Sequence, residues 1–157
     1  MKQTYYLDTS IWNFYYAEDT PDFQKATVEF LRNLDDSKEE IFISQVVLDE
    51  ISAAPEIKRV KLERLITQRK PTFLELHQEI EELALRYIEE GVLRETDYAD
   101  ALHIAIASVY EVEYLLSWNF RHIANIPKSE KVNAVNLLSG YVKELKITTP
   151  LGVREND

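Results

Sequence analysis

The stretch TYYLDTSIW, residues 4–12, holds a short tyrosine-rich run that stops at Asp8-Thr9-Ser10, all helix-capping types, before apolar residues resume at Ile11 and Trp12. It reads as a strand feeding directly into a helix. The junction recurs at Ile41-Phe42-Ile43, where Ser44 caps a helical stretch, QVVLDEISAA, ending near Pro55. It recurs again at Tyr114-Leu115-Leu116-Ser117-Trp118, a buried strand followed at Asn119 by a polar turn. Helical spacing of Ile57, Val60, Leu62, Leu65 and Ile66 predicts a helix over 56–68, and residues 72–76 suit a short third strand. A helix over 77–90 closes at Gly91, and another starts at a Thr96 cap and runs to about Glu111. Residues 131–141 read as helix and 145–148 as a last strand. Strands alternating with helices imply an α/β fold, a three-layer α/β/α sandwich with a mainly parallel central sheet. The expected organisation is a single domain over 1–150 and a flexible tail over 151–157.

Composition narrows the function classes. A chain of 157 residues, 45% hydrophobic, suffices for one core and is short for two. A formal charge of −10 argues against nucleic-acid binding through bulk electrostatics, although a local basic site is compatible with it. The absence of cysteine excludes disulfides and thiolate metal sites and fits a reducing compartment. With no long apolar run at the N-terminus or elsewhere, the chain is expected to be soluble and cytoplasmic, without a membrane partner.

In a parallel sheet, residues just past the carboxyl ends of the strands line one crevice, the usual ligand site. Asp8, Glu50 and Asn119 all follow predicted strands. On a helix beginning at Val46, Glu50 falls inside the apolar arc of Val47, Ile51 and Ala54, where a carboxylate is costly unless satisfied, whereas Asp49 points to solvent. ETDYADALHIA, residues 95–105, divides its two acids similarly. Behind a Thr96 cap, Asp97 is a helix-start acid favoured by free N–H groups. Asp100 lies on an almost wholly apolar helix, which keeps a charged carboxylate only beside a cation or strong donors. Capping accounts equally well for Asp8, and a turn for Asn119. Four oxygen-bearing side chains at one sheet edge, with no cysteine, suit a hard cation such as Mg²⁺ or Mn²⁺.

YYLDTSIW, SQVVLDEI, DALHIA, LLSWNFRHIAN and KITTP together resemble the PIN-domain family, in particular small bacterial VapC-like proteins, over nearly the whole chain and in the right order. The resemblance implies acids gathered at one edge that bind Mg²⁺ or Mn²⁺ for RNA cleavage. Asp8, Glu50 and Asp100 match the first three acids, and Ser10 a hydroxyl supporting the metal shell. Asn119 stands where many members have a fourth acid, which removes a negative charge and puts a second metal in doubt. The implied activity is a Mg²⁺-dependent endoribonuclease, the toxin of a toxin–antitoxin pair. Asp8 and Asp100 are then the direct ligands, Glu50 orients or deprotonates a water, and Asn119 holds another water or the scissile phosphate. Asp97 and Arg121 are secondary candidates, Arg121 with His122 for phosphate contact. His103 reads more readily as a satisfied core residue. The expected partners are RNA, an antitoxin protein and a second copy of the chain, since Trp12, Phe14, Tyr15 and Tyr16 suit a core or a dimer surface. The alternatives are a PIN-fold RNA- or protein-binding module that cleaves nothing, and a phosphohydrolase of the Asp-x-Asp type, for which Asp8-Thr9-Ser10 offers only one acid.

Overall fold

The computed structural model describes residues 2–155, without the side chains of the last two. The strands are β1 (Gln3–Leu7), β2 (Glu39–Ser44), β3 (Thr72–Leu74), β4 (Tyr114–Leu116) and β5 (Lys146–Thr148). They form one parallel sheet in the order β3-β2-β1-β4-β5. Tyr5, Tyr6 and Leu7 of β1 and all of β4 are buried, the continuous burial of strands covered on both faces. The edge strands β3 and β5 are three residues long and more exposed.

The helices are α1 (Thr9–Phe14), α2 (Pro21–Arg32), α3 (Gln45–Ser52), α4 (Glu56–Arg69), α5 (Gln78–Glu89), α6 (Tyr98–Val109), α7 (Ile126–Leu138) and α8 (Pro150–Glu155). From β1 the chain steps outward through β2 to β3, then crosses to β4 and steps the other way to β5. Right-handed crossovers therefore place α1–α4 over one face and α5–α7 over the other, giving three layers. The contacts α1 to α2 and α4, and α5 to α6 and α7, agree with that division. The order reverses between β1 and β4, so the crevice at their carboxyl ends is the switch point where ligands bind in such sheets.

Several local expectations change. Helix α2, with Pro21 in its first turn, occupies a stretch for which the sequence suggested no element. Thr96 is no cap: Glu95–Asp97 form a 3₁₀ turn and α6 opens at Tyr98. Asp97 is thus the N-cap residue, with no side-chain capping bond, and Asp100 lies in the first turn of α6. Helix α7 starts earlier than expected, at Ile126, capped by Asn125, whose side chain accepts the Lys128 N–H. Where a tail was expected from 151, α8 packs Val153 into the core. It lies so close to β5 that a Cβ on Gly152 would fall 1.9 Å from Thr148 Oγ1. Residues 156–157 lie outside the described residues. Trp12 is fully buried, and Phe14 packs on Phe23 and Trp118, so most of the N-terminal aromatic cluster is core.

Candidate active site

The first acid is built by the β1–α1 junction. Asp8 caps α1, its Oδ1 accepting the Ile11 N–H at 3.3 Å, and is only 3% exposed. Capping and a place in the crevice are therefore both true of it. Ser10 donates to Oδ1 and Ser117 to Oδ2, each at 2.5 Å. Those hydroxyls are fixed in turn by the β4 junction: Ser10 Oγ accepts the Trp118 N–H at 2.8 Å and Ser117 Oγ the Asn119 N–H at 2.9 Å. The two strand ends at the switch point are thus tied together through the Asp8 carboxylate. Burial pushes the Asp8 carboxyl above its ordinary value, although the charge of His103 and the serine and Ile11 hydrogen bonds pull the other way.

Glu50 projects from α3 with its side chain 39% exposed, at the margin of the core as its helical position implied. Its Oε1 accepts from Thr9 Oγ1 at 2.8 Å and pairs with His103 Nε2 at 2.7 Å. Glu50 Oε1 is an acceptor, so the proton between it and His103 Nε2 lies on the imidazole nitrogen, which donates. On the other side of the ring Tyr6 Oη bridges His103 Nδ1 and Ser44 Oγ, each at 2.7 Å, and Ser44 Oγ, the cap of α3, also accepts the Val46 N–H at 3.2 Å. Partial burial works to raise the Glu50 carboxyl, but the hydrogen bond and charge of His103 and the Thr9 bond hold it below the usual range.

Asp100 enters from the start of α6, which runs back from the crevice. Its carboxyl is raised, first by burial; the charges of His103 and His122 oppose this, while those of Asp8 and Glu50 add to it. Asp100 thus carries the repulsion of both other acids. Asn119 spans two neighbours: its Oδ1 accepts the His122 N–H at 3.0 Å, which turns its Nδ2 toward Asp100 Oδ2 at 3.5 Å. The amide therefore presents a donor to Asp100, with its oxygen engaged in the turn that delivers His122. Asp97 binds Arg94 Nε at 3.1 Å and lies 3.7 Å from His122 Nε2, and the ligand atoms of Asp97, Asp100 and His122 fall within 4.8 Å of one another. Arg121 is exposed beside this group.

The residues fit a divalent cation. Asp8 and Asp100 are shielded carboxylates raised by burial, and among the described residues neither forms an ion pair with Lys or Arg. An oxygen donor set with uncompensated charge is the chemistry that hard cations satisfy. Two contributors escaped sequence reasoning, Thr9 and Ser117; His103 is the buried, satisfied residue expected but is satisfied by Glu50, and His122, expected at a phosphate, sits beside Asp97. Ser117 directly after a buried strand was the available signal, but it depends on a partner distant in the chain.

A five-stranded parallel sandwich with acids at its switch point is an α/β architecture whose ligand crevice is acidic. The PIN domain matches residues 5–128, and the chain belongs to the PIN-domain family. Among solved structures, it is similar to VapBC2 from Rickettsia felis, determined bound to a DNA fragment from its promoter, with 15% identity, a TM-score of 0.55, and coverage of 92% of this chain and 98% of that one. It is also similar to VapC20 of Mycobacterium tuberculosis, a toxin that cleaves the sarcin–ricin loop, with 14% identity, a TM-score of 0.60, and coverage of 88% and 97%. At that identity the likeness is one of fold. Among curated proteins no sequence match was found.

Proposed function

We propose that this chain is a metal-dependent endoribonuclease of the VapC kind, with Asp8, Glu50 and Asp100 as its reactive set. One observation carries the reading: a buried carboxylate, Asp8, clamped by two serines at the switch point, which with Glu50 adds to the burial that raises the Asp100 carboxyl and which among the described residues has no Lys or Arg ion pair to neutralise it. Asp8 and Asp100 would hold Mg²⁺ or Mn²⁺ directly, and Ser10 keeps Asp8 in its rotamer. A bound divalent ion supplies Lewis acidity toward water and phosphate, which removes the need for a protein nucleophile. Glu50 has Oε1 committed to Thr9 and His103, so Oε2 is the oxygen left to take a proton from attacking water. Its lowered pKa keeps it ionised for that task. Asn119 orients Asp100 and the turn at His122 rather than adding charge.

Membership in the PIN family and the fold shared with VapBC2 support an antitoxin partner, whose basic segment would complement this acidic cleft. No helix among the described residues is long and apolar enough to cross a membrane. The test is cleavage of mixed RNA with Mg²⁺ or Mn²⁺ by wild type, Asp8→Asn and Asp100→Asn. Activity surviving either substitution refutes the site. Failure of wild type to cleave, with no metal binding by calorimetry, favours the non-cleaving binding module, for which the Asn119 amide is the structural argument.

A further inference from the structure

Beside the acids lies a cavity of about 350 Å³ lined by Gly91, Val92, Leu93, Arg94, Asp97, Arg121, His122 and Lys128. In a chain of net charge −10 it gathers Arg94, Arg121 and Lys128 against the single carboxylate of Asp97. We infer that this pocket binds a backbone phosphate of an RNA strand, next to the bond that the acidic site cleaves. This rests on the ribonuclease reading above and names how its substrate is held.

The construction explains why these charges stay together. Asp97 holds the Arg94 guanidinium at 3.1 Å and has His122 Nε2 at 3.7 Å, so one carboxylate fixes two donors in the wall. Lys128 is held by its Nζ on the Val92 carbonyl, below the α7 start that Asn125 caps. Arg121 is exposed, and its guanidinium makes no hydrogen bond or ion pair among the described residues. A free guanidinium offers the paired donors that suit a phosphate oxygen pair. The neighbouring carboxylates repel the same phosphate, so this basic wall supplies an attraction that the metal-free acids do not. Asp97 and His122 belong to both the pocket and the group reaching Asp100, so a phosphate seated here lies next to the acids. The other basic cluster, on α4, includes the exposed Lys58 and Arg64 and lines no part of this pocket.

Fluorescence anisotropy of a labelled single-stranded 12-mer RNA, in EDTA so that nothing is cleaved, tests the assignment independently of catalysis. Arg121→Gln/Lys128→Gln is expected to weaken binding about tenfold and to make the log–log salt slope shallower by roughly 1.4, about 0.7 per cation lost. Lys58→Gln/Arg64→Gln should stay within twofold of wild type. Arg121→Gln alone, at an exposed position, should weaken binding about threefold even if Lys128→Gln disturbs the loop at Val92. A 5′-phosphorylated and a 5′-hydroxyl 12-mer should bind equally. Equal losses in the α4 variant would show bulk attraction and overturn the pocket. Binding that requires the 5′-phosphate would assign it to strand ends and overturn the backbone reading, and so would absence of RNA binding by wild type.

Discussion

The two sides of the cleft hold their charges in opposite ways. Asp8 is buried and its position is set by Ser10, Ser117 and the Ile11 N–H, whereas Arg121 stands exposed and, among the described residues, without a side-chain partner. Burial makes an unpaired charge expensive, so a buried carboxylate survives only with its donors in place and is thereby positioned closely. An exposed guanidinium needs no partner and is positioned loosely. Close placement serves the reacting atoms, and loose placement serves capture of a flexible polyanion.

The contrast is most exposed to refutation at Asp8. Asp8→Asn keeps the α1 cap, because Asn caps helices as well as Asp, and is expected to cut RNA cleavage by about 10²–10³-fold in a gel assay with Mn²⁺. A variant retaining a tenth of the rate would mean that the clamped acid is structural only. Next comes the hold on Glu50. His103→Leu should lower kcat by about 10–100-fold, the usual cost of losing a partner that orients a reactive group, with His103→Gln restoring part of it. Nitrogen NMR of wild type should find the imidazole proton on Nε2, and Tyr6→Phe should disturb that tautomer without removing any acid. An imidazole without a proton on Nε2 would overturn the donation drawn from the Glu50 contact.

Asn119 supplies the sharper form of the comparison. Asn119→Asp replaces the donor facing Asp100 with a second carboxylate, so the metal-free protein should lose about 1 kcal/mol in denaturant melts while Mn²⁺ binds more tightly in calorimetry. Unchanged affinity would place Asn119 outside the reach of the metal. The smallest effect concerns pH. The Asp100 carboxyl lies above its unfolded value, so the stability it contributes is full in acid and is lost as pH rises through the raised value. Metal-free Asp100→Asn should therefore melt with wild type below the ordinary carboxylate range and a few degrees above it near neutrality. A constant difference across pH would show that neither burial nor its acidic neighbours raise the Asp100 carboxyl.

Every strand and most of the helices, though not α2 or α8, could be read in one dimension, and three acids singled out, because their signals are local. A tyrosine-rich strand ending in Asp-Thr-Ser, a Glu within an apolar helical arc and an Asp on an apolar helix each carry their meaning in a few neighbouring residues. The start of α6 was misplaced for the same reason: Thr96 looks like a cap locally, yet the chain tightens into a 3₁₀ turn while Asp97 is engaged by Arg94 and His122.

What the sequence determined by itself is the alternation of strand and helix, the family, and Asp8, Glu50 and Asp100 as the acids worth explaining. What needed the folded chain is every partnership across it: Ser117 on Asp8, 109 residues away; His103 on Glu50, 53 away; and Arg94, Arg121 and Lys128 around one cavity. The physical reason is that periodicity reports which face of an element meets the core. Hydrogen bonds and cavities between elements depend on the strand order β3-β2-β1-β4-β5, which no local pattern encodes.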